Sequence, residues 1–126
     1  MHYHVISFLD SASTTKYSSR AANALYASAG VSPDAFAKYH QVLYQQQPAE
    51  GSAGLTEDKL VQLAQQSGAG AAADQIRAGT YADYVARATD QSSKDGVTGT
   101  PTVLVNGKAL QQPTLDQVTA AVNAAS

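Results

Sequence analysis

The stretch Val97-Thr98-Gly99-Thr100-Pro101-Thr102-Val103-Leu104-Val105-Asn106-Gly107 carries more structural information than any other part of the chain. Pro101 has no N–H, so it suits the first residue of a strand and not a strand interior. Thr102 to Val105 favour a pleated backbone, and Asn106-Gly107 is the strongest short-range signal for a hairpin turn. Lys108 to Gln111 then return antiparallel. Past Pro113 and Thr114, the spacing of Leu115, Val118, Ala121, Val122 and Ala125 predicts an apolar helix. The C-terminal part reads as a β-β-α unit.

Working outward, 126 residues make about one domain and allow a real core. A net charge of −2 with 14% charged residues leaves no basic stripe, which argues against a nucleic-acid partner. No run approaches a transmembrane span, and Met1-His2-Tyr3 opens no signal peptide. A soluble piece of something larger is expected, with membrane contact only through an anchor in a parent chain. Cysteine is absent, so these residues hold no disulfide, thiolate metal site or thiol nucleophile.

From the N-terminus, His2 to Leu9 alternates with apolar residues on both faces, which predicts a strand covered on both sides. Asp10 and Ser11 break it, and Ser11 to Thr15 form a polar loop. Ser18 is the expected cap of a helix over 19–29 closed by Gly30. Ser32-Pro33-Asp34 is a second helix start, followed by Phe36, Tyr39, His40, Leu43 and Tyr44 at helical spacing. After a loop over 45–54, Thr56-Glu57-Asp58 caps a helix bearing Leu60, Leu63 and Ala64 and stopped by Gly68. A short helix over 71–78 ends at Gly79, and Thr80 caps another that runs to about Lys94. Helix after helix thus separates one N-terminal strand from the terminal hairpin, with no fixed repeat.

That order resembles the later part of a DsbA-type thioredoxin-fold protein, a bacterial secreted thiol:disulfide oxidoreductase with a helical domain inserted in a thioredoxin fold. The matching stretches are Tyr3 to Asp10, Ser18 to Ala24, Tyr39-His40 with Leu43-Tyr44, Gln47-Pro48, Gly79-Thr80-Tyr81 and above all Gly96 to Thr102. The resemblance implies an α/β fold: an incomplete thioredoxin-like fold with a helical insertion and a C-terminal β-hairpin plus helix. Residues 1–10 and 96–126 would form the thioredoxin-like sheet and terminal helix, and 11–95 the helical insertion. It also implies that Thr100-Pro101 is cis, and that Thr98, Gly99, Thr100 and Pro101 lie beside an extended substrate peptide. Without the resemblance, Pro101 would be a trans proline starting a strand. No cofactor is implied. The compartment implied is extracytoplasmic: secreted, periplasmic-type or cell-envelope.

The departure from the family pattern is as informative. The redox motif Cys-x-x-Cys opens a helix after a strand that would precede everything in this chain. The second cysteine pair of some relatives would fall near Ala27 and near Gln75, and neither supplies sulfur. Disulfide exchange needs a thiolate, so these 126 residues are not expected to catalyse it, although a full-length parent could. Without the central strand, two strands would keep open edges that invite pairing. The chain is accordingly expected to be a fragment completed by another chain, a domain closed by homodimerisation or strand exchange, or a truncated product.

Other candidate chemistry is outweighed by ordinary structural roles. His2 and His4 fall on one strand face but lack a third metal ligand. His40 fits a partly buried helix position better than a general base, and Asp10 fits a turn or cap. The tyrosines fit core edges better than a sugar platform. Gly68-Ala69-Gly70 lacks the preceding strand of a dinucleotide loop, and no Gly-x-Ser-x-Gly elbow exists. Two functions remain. One is a redox-inactive segment of an exported disulfide-oxidoreductase-family protein. The other is a DsbA/DsbG-like extracytoplasmic sensor domain of a receptor-type Ser/Thr protein kinase, acting by dimerisation.

Overall fold

The computed structural model describes residues 2–111 and 113–125. Among the described residues, six α-helices and one hairpin follow in order: α1 (Tyr17–Ala29), α2 (Pro33–Gln45), α3 (Glu57–Gln66), α4 (Ala73–Ala78), α5 (Ala82–Lys94), β1 (Thr102–Val105), β2 (Lys108–Gln111) and α6 (Leu115–Ala124). Short 3-10 turns cover Phe8–Ala12 and Gly70–Ala72. The chain divides into two compact units, Met1–Gln91 and Ser92–Ser126. Met1 and Ser126, the ends of the expected sheet-and-helix portion, lie outside the described residues.

In the first unit, local chemistry sets where each helix starts. Ser32 caps α2, its hydroxyl accepting from the Ala35 N–H at 3.0 Å, with Pro33 in the first turn. Thr56 caps α3 in the same way through the Lys59 N–H at 3.2 Å. α1 differs from the expectation of a Ser18 cap. Its N-cap residue, Lys16, has a left-handed backbone and makes no side-chain cap. The free N–H groups are instead met from upstream: Ser13 Oγ accepts from Tyr17 N at 3.2 Å, and Asp10 accepts from Ser19 N at 2.8 Å and from the Ser19 hydroxyl. The start of α5 is likewise served from a distance. Asn23, buried in α1, accepts from Tyr81 N at 2.8 Å and donates to the Ile76 carbonyl at 3.1 Å. One side chain thereby ties the end of α4 to the start of α5.

The core of this unit is built from α1 to α4. Ala24, Leu25 and Ala27 of α1 meet Tyr39 and Leu43 of α2, Leu60, Val61, Leu63 and Ala64 of α3, and Ile76 of α4. Tyr39 is fully buried and its hydroxyl donates to the Leu60 carbonyl at 2.9 Å. Burial drives its pKa well above the usual tyrosine value. Small residues on α1 let the helices approach closely. Gly54, at φ +71°, lies flat against the Tyr17 ring, where any Cβ would collide. Arg20 fastens the same loop by donating to the Leu55 carbonyl at 2.7 Å and the Ala53 carbonyl at 3.0 Å.

Tyr3 to Leu9, expected as a strand, forms none. Residues 2–7 have no strand partner among the described residues, and Phe8–Ala12 tightens into a 3-10 turn. A strand needs a neighbour for its backbone groups, and side chains take that place here. Val5 N–H donates to the Tyr26 hydroxyl at 3.0 Å, and that hydroxyl donates back to the Val5 carbonyl at 3.2 Å. Ser7 N–H donates to Thr89 Oγ1 at 3.0 Å.

In the second unit, β1 and β2 pair antiparallel from Val105↔Lys108 to Thr102↔Gln111. Asn106 and Gly107 close the turn with φ +48° and +76°, the two positive values a type I′ turn requires. Thr114 and Gln117 form a reciprocal capping box at the start of α6, at 2.8 and 3.3 Å.

Candidate functional site

The loop leading into β1 is built within the second unit. Gly96, at φ +81°, ends α5: its N–H reaches the Ser93 carbonyl at 3.1 Å, and Val97 N–H reaches the Ser92 carbonyl at 2.9 Å. Thr102 Oγ1 then donates to the Gly99 carbonyl at 2.7 Å, drawing Gly99 to Thr102 into a tight bend. Within that bend the Thr100–Pro101 peptide bond is cis. Thr98, Thr100 and Pro101 are exposed and Gly99 is half-buried, so the four predicted site residues are contiguous and open to solvent.

The edge that follows has a defined polarity. A two-residue hairpin makes Val105↔Lys108 a hydrogen-bonded pair, so pairs alternate and the backbone groups of Leu104 point away from β2. Among the described residues β1 pairs with β2 alone, and the Leu104 side chain is 61% exposed. No ionisable side chain lies between Val97 and Gly107. A neutral loop running into an open strand edge offers backbone amides and carbonyls, and lacks charge for acid–base chemistry or for an ionic ligand.

The other candidates remain structural. Among the described residues no three His, Asp or Glu side chains gather to hold a metal, and His2 and His4 are simply exposed. Asp10 is committed to Ser19. A cavity of about 260 Å³ in the first unit includes Lys16, Arg20, Asn23, Glu57 and Arg77 in its wall. Its best-placed polar groups are already engaged: Arg20 and Asn23 with backbone, and Arg77 with Asp58 at 3.6 Å. His40 lies in an aromatic ladder along α2, with ring centroids 5.8 Å from Phe36, 5.0 Å from Tyr44 and 5.6 Å from Tyr3. Burial holds its pKa below the usual histidine value. Among the described residues, no helix is long and apolar enough to cross a membrane.

The resemblance names the Thr98–Pro101 loop, whereas nothing in the sequence singles out Tyr26, Thr89 and Asn23, whose side chains hold backbone from distant segments. The long separations, 21 to 82 residues, leave no local signature.

The family model described as thioredoxin matches residues 2–124. The reduced form of the disulfide bond oxidoreductase DsbG from Mycobacterium tuberculosis superposes with a TM-score of 0.82 at 35% identity, over 97% of this chain and 59% of that one. Oxidised DsbA from M. tuberculosis gives 0.75 at 32% identity, over 98% and 71%. The reduced DsbA of the same organism gives 0.72 at 29%, over 97% and 70%. The chain therefore spans less than two thirds of the DsbG it resembles. No curated protein sequence matches it.

Proposed function

The chain belongs to the thioredoxin family, with DsbA and DsbG disulfide oxidoreductases as its structural neighbours, and from that premise we propose that it is the peptide-presenting portion of an exported DsbA-like protein. Residues 1–10 and 96–126 then belong to its thioredoxin-like portion and 11–95 to the helical insertion. Thr98, Gly99, Thr100 and Pro101 seat an extended peptide. The observation that carries this reading is the neutral, exposed loop continuing into the open edge of β1, where Leu104 presents backbone groups away from β2. Main-chain pairing at such an edge supplies affinity with little sequence preference. Because the 126 residues contain no cysteine, they bind without exchanging disulfides.

The test is an amide-shift titration with carboxymethylated insulin B chain, a thiol-blocked extended peptide. Shifts concentrated over 98–104, and no reduction of intact insulin by the chain, are expected. Shifts confined to the first unit, or insulin reduction, would contradict the reading.

The complete absence of cysteine also favours a second reading, a DsbA/DsbG-like extracytoplasmic sensor domain of a receptor-type Ser/Thr kinase. There, binding at the same edge changes association between domains. A parent reading frame encoding Cys-x-x-Cys selects the first reading. One encoding a membrane span and a kinase domain selects the second.

A further inference from the structure

The chain has three asparagines, Asn23, Asn106 and Asn123, and their side-chain amides are held very differently. Asn23 is buried in α1, with donor and acceptor both committed to distant backbone. Asn123 lies within α6 and is followed by Ala124, whose N–H belongs to the helix ladder. Asn106 alone precedes a glycine and alone sits in a turn, where it and Gly107 are exposed with φ +48° and +76°. In this two-residue hairpin Val105 and Lys108 form the closing pair, so the Gly107 N–H is not spent on the ladder. No other backbone bond takes it among the described residues. Nor is it shielded: a Cβ built on Gly107 would meet no atom within 4 Å.

The Asn106 side chain also carries a contact of its own. Its Nδ2 donates to the Ala125 carbonyl at 3.4 Å, a long bond that joins the turn to the end of α6. Carbonyls at a helix end are unpaired within the helix and concentrate partial negative charge. A donor suits that place, whereas a carboxylate there would set oxygen against oxygen. α6 has no buried residue to offset the loss of such a contact.

We propose that Asn106-Gly107 is a site of spontaneous covalent modification, at which the side-chain amide is lost and the hairpin loosened. The Gly107 nitrogen attacks Asn106 Cγ, forming an N–C bond as the Cγ–Nδ2 bond breaks. Nδ2 leaves with the Gly107 proton as ammonia, and a five-membered imide remains. Water then adds to either imide carbonyl and opens the ring, leaving an aspartate or an isoaspartate at position 106. No electrons are transferred, and water is the only co-reactant. Ring closure requires Asn106 to leave its left-handed backbone and to release Ala125, so the reaction runs from the opened turn. Both products hinder reclosure. Isoaspartate lengthens a two-residue turn by one backbone carbon, and aspartate sets its charge against the end of α6. The step uses only the second unit and does not depend on peptide binding at Pro101.

Ageing the full chain in mildly alkaline buffer enriched in heavy-oxygen water, followed by peptide mass mapping, tests this. The peptide containing Asn106 should lose its side-chain amide nitrogen, take up heavy oxygen and become a substrate for an isoaspartyl methyltransferase. The peptides containing Asn23 and Asn123 should not change. After conversion the Val105 and Lys108 amides should exchange about 2 to 10 times faster, the equivalent of one hydrogen bond lost, while amides around Tyr39 and Leu60 hold their rates. Asn106→Asp keeps a residue type that tolerates the left-handed turn and should show the same acceleration without ageing. Asn106→Gln cannot close the five-membered ring and should show no ageing effect. The proposal is overturned if Asn106 survives in the folded chain while converting in the urea-unfolded chain, or if Asn23 or Asn123 converts as fast. It is equally overturned if the converted chain, or Asn106→Asp, exchanges its hairpin amides at the parent rate.

Discussion

Replacing Tyr26 with Phe removes one oxygen and with it both hydrogen bonds that Val5 makes. Little else changes, because the ring keeps its edge-on contact with Tyr84 at 4.9 Å and its neighbour Tyr81 at 6.3 Å. Each lost bond is worth about 0.5–1.5 kcal/mol net, and water reaches this half-buried site, so the expected loss is about 1–2 kcal/mol. That loss falls on the N-terminal segment and not on the α1–α4 core. The Val5 amide should therefore exchange about 5 to 30 times faster, while amides around Tyr39 and Leu60 change little. Hydrogen exchange followed by NMR reads both at once. Thr89→Val gives the complement, releasing Ser7 more than Val5, since Thr89 Oγ1 receives the Ser7 N–H. If Val5 exchange in Tyr26→Phe stays within about twofold of the parent chain, hydroxyl bonding does not hold the segment and the reasoning fails.

Three further outcomes follow from the same geometry. Asn23→Leu strands the Ile76 carbonyl and the Tyr81 N–H and should cost about 2–4 kcal/mol in urea unfolding, among the larger single-site losses in the first unit. Gly54→Ala combines a left-handed backbone with a collision against Tyr17 and should cost about 2–4 kcal/mol, with a changed tyrosine near-UV signal. Burial among Phe36, Tyr3 and Tyr44 lowers the His40 pKa; His2 and His4 flank Tyr3, and Asp34 and Lys38 share α2, but burial is the cause of the shift. Below about pH 6.5 the unfolded chain binds a proton that the folded chain resists. Stability should therefore fall as pH drops through that value and level off beneath the folded pKa. His40→Phe should flatten this part of the melting-temperature profile between pH 7.5 and 5.

Features that depend on neighbours in sequence were legible. Asn106-Gly107 announces its turn, Ser32-Pro33 and Thr56 their helix starts, and Gly68, Gly79 and Gly96 their stops, because each acts through a backbone preference within a few residues. The predicted helix end at Lys94 and the four-residue strands also match. What failed was non-local. Alternation over His2 to Leu9 predicts a strand covered on both sides, but a strand exists only with a partner to bond, and none forms here among the described residues. Here the Tyr26 and Thr89 hydroxyls take the Val5 and Ser7 N–H groups instead of a neighbouring strand. The cap of α1 was assigned to Ser18 on proximity, whereas Asp10 and Ser13 reach it across the preceding turn. The four residues named as a candidate site, Thr98, Gly99, Thr100 and Pro101, come from the resemblance and form one exposed bend before β1.

Among residues 92–110 and 113–125 none is buried, while Leu104, Leu115 and Val122 stand 61%, 80% and 47% exposed. A segment that withdraws so little from water has scant free energy to set against its own conformational entropy. Formed and frayed states are therefore expected to lie close in free energy, and a peptide seated on the hairpin would shift that balance. If a peptide seats there as proposed, its measured affinity would be the intrinsic affinity scaled by the fraction of time β1 is in place. Substitutions remote from the contact, if they only stiffen the hairpin or α6, should then tighten binding without touching the ligand. Under the proposed reading, occupancy of this edge and order in the hairpin and α6 would be two descriptions of one equilibrium.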